Sequence, residues 1–212
     1  MARKNSEDVA PANHASRRGG NAKTSLRTQL RDSNGVKTVG LVSIAVPSIK
    51  LLGNLIEAKK VLETLGVATE VSIVAAHWAP KKTLRYIAEL ESGGVDVVIA
   101  AADGSAHLPG MIASLTTIPV IGVPLEGANL HGLDSLLSIV QMPKGVPVAT
   151  MAIDSGYNAG IYACQILCLK HPELRQRLVK HKEALEKQVE SDDLEINATS
   201  RIKMGDGTQI GR

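Results

Sequence analysis

Two histidines sit where they could move protons. His77 lies in "VAAHWAPKK" (74–82), directly after an apolar run, and His107 lies in "AADGSAHLPG" (101–110), also directly after an apolar run. Imidazole takes up and gives back a proton near neutrality, which suits it to general acid–base work. Around these histidines are Gly, Ala and Ser, residues small enough to let a ligand approach the backbone closely. Asp103 stands four residues before His107, and the chain's single tryptophan, Trp78, follows His77. A competing reading keeps His77 as a core histidine of an inactive protein. Another lets the His107 imidazole or the Asp103 carboxylate cap the helix that follows. His131 precedes a helix and reads as a surface or interface residue. His14, His171 and His181 fall in tails and read as solvated.

Elements with two different periods place these residues. Short apolar runs at 38–46, 69–76, 95–102, 118–125 and 146–154 read as strands buried on both faces. Between and after them, stretches at 54–66, 81–94, 108–117, 133–142 and 158–169 carry helical spacing, with Pro80 at one entrance and glycines at several exits. Strand then helix, five times over, predicts an α/β fold with a doubly wound five-stranded parallel sheet and right-handed crossovers. Ligands of such sheets gather at the carboxyl ends of the strands. That edge collects "PSIK" (47–50), His77, the 101–110 segment, "EGANLHG" (126–132) and "DSGYNAG" (154–160).

Composition narrows the class. The chain has 212 residues, is 44% hydrophobic and only 2% aromatic, so its core must be Ala, Val, Ile and Leu. A formal charge of +3 is too small to argue for nucleic acid. No uninterrupted apolar stretch is long enough for a membrane span. Residues 1–37 are polar and lack a secretory apolar core, with Lys and Arg outnumbering Asp and Glu eight to three. They read as a disordered basic tail, with an organelle-transit segment as the second reading. Residues 38–170 form the α/β domain. Residues 171–196 carry Leu174, Leu178, Leu185 and Val189 at 4-7-4 spacing, an amphipathic helix for the core or for a neighbouring subunit. Residues 197–212 are a polar tail. Cys164 and Cys168 share one helical face and read as reduced core thiols of a cytoplasmic protein, with a disulfide or metal pair as the minor reading.

Several segments resemble one family. "SAHLPG" (105–110), "GLDSLLSIVQMPKGVPVAT" (132–150), "NAG" (158–160) and the Ala76-His77…Pro80 pattern are similar to the PurE family. Its members are the aminoimidazole ribonucleotide carboxylases and N5-carboxyaminoimidazole ribonucleotide mutases of purine synthesis. The likeness covers roughly residues 38 to 170. It implies a flavodoxin-like α/β/α sandwich, a homo-octamer, CO2 or bicarbonate as co-reactant and no metal or other cofactor. It assigns the proton shuttle to His77 and puts His107 in the substrate pocket. The candidate substrate contacts are then Ser48, Lys50, Ala76, Trp78, Ala102, Asp103, Gly104, Ser105, His107, Leu108 and Pro109.

The departures from the family pattern bear on the substrate. In the first loop the family's Ser-Asp/Lys-Ser-Asp run becomes Ser48-Ile49-Lys50-Leu51, so the closing aspartate is a leucine. "SAHR" becomes Ala75-Ala76-His77-Trp78, so the serine is lost and a phosphate-binding arginine is an indole. "GAGG" becomes Ala101-Ala102-Asp103-Gly104, and the loop after strand 5 is shortened to 154–159. Lys50, Lys81, Lys82 and Arg85 are the cations that could restore charge for a phosphate. Two function classes follow: an enzyme that moves CO2 on a five-membered aminoazole, in either direction, or a catalytically silent subunit that keeps the assembly-forming core.

Overall fold

The computed structural model describes residues 38–127 and 130–205. The basic tail expected at 1–37, the last residues of the C-terminal tail and Ala128–Asn129 lie outside the described residues.

Five parallel strands form one sheet in the order β2-β1-β3-β4-β5. They are β1 (Leu41–Val46), β2 (Ala68–Ile73), β3 (Val97–Ala102), β4 (Val120–Pro124) and β5 (Ala149–Thr150). This is the flavodoxin-like order, and its direction reverses between β1 and β3. Register is tight there: Val42 pairs with Val97 and Ala45 with Ala100. Every residue of β3 and β4 is buried, as continuous Val/Ile/Ala runs require when helices cover both faces.

The helices are α1 (Ile56–Thr64), α2 (Pro80–Ser92), α3 (His107–Leu115), α4 (Leu133–Val140), α5 (Gly156–Leu167) and α6 (Pro172–Gly205). A 3-10 segment, Ile49–Leu55, runs into α1. On one face α1, α5 and the start of α6 bury Leu62, Ala163, Cys164 and Leu174 against Val42, Ile44 and Ile121. On the other, α2, α3 and α4 bury Ile87, Ile112 and Ile139 against Val98 and Ala100. Gly122 makes this second layer possible: a Cβ there would lie 2.6 Å from the Ile139 side chain and 2.8 Å from Val148. The Ser43 hydroxyl, fully buried on β1, shares a 2.7 Å hydrogen bond with Tyr86 of α2.

Two elements depart from their expected form. The fifth strand, expected over 146–154, is a two-residue edge strand. Pro147 has no N–H to give, so ladder pairing starts only at Ala149. Beyond it the chain keeps contact through Met151 N–H to Gly122 C=O and Asp154 N–H to Pro124 C=O, both 2.9 Å. Helix α6 divides in its role. Leu174 and Leu178 join the core, whereas Leu185 and Val189 are exposed. Arg177 fixes the docked part by donating to the Leu65 carbonyl at the end of α1, 2.8 Å.

Two histidines expected to be solvated are tied down instead. His181 shares a 2.8 Å hydrogen bond with the Tyr157 hydroxyl of α5, and His171 is about three-quarters buried beside Glu173. Both follow from the first turns of α6 packing onto α5. Cys164 and Cys168 are free thiols. Burial, with a smaller push from Cys168, raises the Cys164 thiol to about 12.

Candidate active site

The carboxyl edge of the sheet gathers four loops. After β2, Val74 N–H still bonds the Val46 carbonyl, and then the chain turns away. That turn closes with Ala79 N–H to the Ala75 carbonyl, 2.8 Å, so its central residues His77 and Trp78 project outward. Both are exposed, Trp78 to 90%. Pro80 then begins α2, where its missing N–H costs no helical bond.

After β3, the loop reaches α3 through two left-handed residues, Gly104 (φ +55°) and Ala106 (φ +39°). A non-glycine residue in that region is uncommon and costs about 1–2 kcal/mol. It turns the chain sharply enough to make His107 the first residue of α3. No side chain caps this helix. The capping roles considered for His107 and Asp103 are therefore not the ones taken: Asp103 contributes its backbone carbonyl, which accepts the Ala106 N–H at 3.1 Å. The outcome is that the His77 and His107 rings meet edge to face, centroids 4.9 Å apart and planes at 74°.

Cavities flank this pair on two sides. One, of about 250 Å³, is walled by Ser48, Leu51, Ala76, His77, Trp78 and Asp103 among others. The other is an open groove of about 840 Å³ between α3 and α4, with Ala76, His77, Ser105 and His107 at one end and Met111, Leu137 and Met142 along it. Ala76 and His77 belong to both, so the His77 imidazole stands on the partition between them.

Not all of the sequence-derived candidates meet here. Lys50 is exposed on the 3-10 segment and lines neither cavity. Lys81, Lys82 and Arg85, on α2, also line neither. Ala102 is buried at the end of β3, where its carbonyl accepts the Leu125 N–H at 2.9 Å. Leu108 and Pro109 turn into the core beneath α3. Gly104 shapes the loop and lies near Gly127, whose Cβ, if present, would be 3.8 Å from the Gly104 nitrogen.

Other residues at this edge escaped the sequence reading. Asp154, held at φ +56°, accepts hydrogen bonds from Asn54 Nδ2 (2.6 Å) and from the Glu126 N–H (3.1 Å). It thereby ties the loops after β1, β4 and β5 together. Gly156 helps by letting the start of α5 press on Asn54, whose carbonyl a Cβ would strike. A non-glycine residue directly after a strand, in a Gly-rich turn, is the only sequence signal it offered. The Met-lined wall of the groove had none, because apolar residues on α3 and α4 read as core. Among the described residues no group of three His, Cys, Asp or Glu side chains gathers as a metal site, and no helix is long and apolar enough to cross a membrane.

Residues 41–188 match the family described as AIR carboxylase. The chain belongs to that family, the PurE family. An N5-carboxyaminoimidazole ribonucleotide mutase from Pyrococcus horikoshii is 48% identical over 150 residues, covering 71% of this chain and 85% of the relative. A protein of the same name from Thermotoga maritima is 50% identical over 133 residues, 63% and 78% of the two chains. A crystal structure of Treponema denticola PurE superposes with a TM-score of 0.68 at 23% identity, over 74% of this chain and 98% of that one. At that identity the superposition speaks for the flavodoxin-like fold. The PurE family's AHLPG and SIVQMP segments thus occupy Ala106–Gly110 and Ser138–Pro143, and both line the open groove.

Proposed function

We propose that the chain moves CO2 on an aminoimidazole-type ring, as a carboxylase or carboxylate mutase of purine synthesis. The observation that carries this reading is the His77 imidazole, set edge-on to His107 between two cavities at the carboxyl edge of the sheet. An aminoazole carbon is enamine-like and attacks CO2 directly. As the new C–C bond forms, the ring carbon must lose its proton. His77 accepts that proton; in a mutase it gives it to the amine nitrogen whose bond to the carboxylate has broken, in direct carboxylation it gives it to solvent, and when the reaction runs toward release of CO2 it delivers a proton to the ring carbon. General acid–base help of this kind is worth about 10²–10⁴-fold. Ala75, Ala76 and Leu51 give the small cavity an apolar wall for CO2, facing the polar Ser48 and Asp103. His107 buttresses the His77 ring and lines the groove side.

We further propose a symmetric homo-octamer in the cytoplasm, with CO2 or bicarbonate as co-reactant and no nucleic-acid or membrane partner. Leu133, Leu137 and Val140 of α4 are about half exposed, and such a stripe on the family's matching segment favours coverage by other copies.

Leu51 favours a second reading. It stands in the cavity wall where the family pattern has an aspartate, so a silent subunit that assembles or holds a ligand without turnover is the alternative. His77→Asn separates the two. The exposed position predicts an intact fold, and turnover of an aminoimidazole ribonucleotide, or of its riboside, followed by isotope exchange from labelled bicarbonate, falls by at least two orders of magnitude. Turnover unchanged in the variant would remove His77 from the chemistry. No turnover in the wild type with either ring leaves the silent subunit.

A further inference from the structure

The distal half of α6 carries an apolar stripe that no other described residue covers. Leu174 and Leu178 bury one face of the helix in the core. Leu185, Val189 and Ile196 continue that face, 7, 4 and 7 residues on from Leu178, and they are 51%, 68% and 65% exposed. Acidic residues crowd the same stretch. Between residues 183 and 193 stand Glu183, Glu186, Glu190, Asp192 and Asp193 against Lys187 alone. The family match ends at residue 188, so Val189 and Ile196 lie past the scaffold shared with the relatives. An apolar stripe left in water draws a partner. The α6 of a second copy is a poor one, because it brings the same excess of carboxylates.

Residues 1–40 also lie outside the family match, and they are of opposite charge. We propose that residues 23–31, KTSLRTQLR, dock on the exposed stripe of their own copy's α6. Leu26 and Leu30 are four apart, and Lys23, Arg27 and Arg31 repeat at the same interval with no acidic residue among them. On a helix the two leucines share a face and the three cations flank it, which complements an apolar stripe edged by carboxylates. Thr24 and Ser25 near the start and Asn34-Gly35 after the end are ordinary helix start and stop signals. The reach is sufficient. Val39 N–H bonds the Gly66 carbonyl at 2.9 Å, and Arg177 of α6 holds the adjacent Leu65 carbonyl at 2.8 Å. The segment therefore enters the fold beside the first turns of α6. From Arg177, Leu185 and Val189 lie about 12–18 Å along the helix axis, and the stretch from Leu30 to Val39 spans up to about 30 Å. Tethering sets a local concentration on the order of millimolar, so a small contact is enough.

Amide hydrogen exchange on the full chain as it assembles reads the cover directly, in peptides spanning 183–196. Exchange there should be about tenfold faster in Leu26→Asp with Leu30→Asp than in the wild type, with peptides of β3 unchanged. Arg27→Glu with Arg31→Glu should speed it in the same way, and adding Glu186→Lys with Asp193→Lys should restore the slow rate. A zero-length carbodiimide should join Lys23 to Glu186, Glu190 or Asp193. In assemblies mixed from light and isotope-labelled chains, that link should stay within one copy. Exchange at 183–196 equally fast in the wild type and both tail variants would overturn the proposal, since nothing then covers the stripe. Equally slow exchange in all three would overturn it too, and would assign the cover to another surface of the assembly. Links between light and labelled chains would move the docked segment to a neighbour's helix and overturn its assignment to its own.

Discussion

Replacing Asp154 should loosen the site and the fold together, by an amount set by two opposing terms. Its carboxylate accepts from Asn54 Nδ2 at 2.6 Å and from the Glu126 N–H at 3.1 Å. Hydrogen bonds to a charged group contribute about 1.5–3 kcal/mol each when buried. This pair is partly in contact with solvent, so about 2–4 kcal/mol for both is the reasonable sum. Against that, Asp154 sits at φ +56°, a conformation that costs a Cβ-bearing residue about 1–2 kcal/mol and a glycine none. Asp154→Ala therefore loses the bonds and keeps the strain, for a cost of about 2–4 kcal/mol. Asp154→Gly loses the bonds and relieves the strain, and should be about 1 kcal/mol less damaging. Asp154→Asn keeps an acceptor and tolerates the left-handed region, and should cost about 1–2 kcal/mol. Urea unfolding at one fixed protein concentration measures all three, and the alanine variant should melt about 5–15 °C lower. Its kcat/KM should also fall, because the 3-10 segment that carries Leu51 to the cavity ends at the Asn54 tie. Misplacement by about 1 Å can cost a hundredfold. A loss below about 0.5 kcal/mol for alanine, or a glycine variant worse than alanine, would show that Asp154 is not a clamp.

Three more outcomes are expected. Light scattering at micromolar concentration should report an octamer, and a monomer or dimer would contradict the proposed assembly. Leu174→Ala, at a fully buried position of α6, should cost about 2–5 kcal/mol, and a change within 0.5 kcal/mol would mean that α6 is not docked. Stability should fall with alkali. Burial lifts Cys164 from 9.0 to about 12, and burial, opposed by the Ser43 hydrogen bond, lifts Tyr86 from 10.0 to about 12. The unfolded chain then releases these protons first, so both groups contribute stability that is whole below about pH 9 and is lost toward pH 12. A urea midpoint that stays level from pH 8 to 11 would refute this, and Cys164→Ala should flatten the first part of the decline.

Much of the architecture could be read from the chain because the two periods are clean. Val97–Ala102 is apolar at every position and can only be a strand covered on both faces, while Ile56–Thr64 repeats its apolar residues at helical spacing and ends at Gly66. That His77 and His107 share one edge was legible for the same reason: each follows a strand, and parallel strands open their carboxyl ends on the same edge, here with β1 between β2 and β3. The short β5 was less legible, since an apolar run does not say which of its N–H groups will find a carbonyl across a gap set by Pro147. The tie at Asp154 was invisible because it joins residues 100 positions apart. The direction of Lys50, Lys81, Lys82 and Arg85 was also beyond reach. Periodicity tells which face of a helix is buried: α2 turns Lys81, Lys82 and Arg85 outward while its Thr83 and Ile87 face the sheet, and Lys50 stands exposed on the 3-10 segment.

The same geometry explains how a chain about half identical to ribonucleotide mutases can carry other side chains at the rim of the site without changing its fold. The loops at the carboxyl edge are built from backbone hydrogen bonds and small residues. Ala79 N–H closes the His77–Trp78 turn, Ala106 N–H closes the loop before α3, and neither depends on the side chains at 48, 51, 76 or 78. Trp78 is almost wholly exposed and Leu51 only partly buried, and exchanges at such positions usually change stability by no more than about 0.5 kcal/mol. His77 is different, because it stands between two cavities and against His107, the place that the proposed proton transfer requires. Substitution at the rim can therefore change the lining of the pocket while the sheet beneath it stays as it is. Overall identity measures the scaffold, whereas Leu51, Trp78 and Asp103 line the small cavity at its edge.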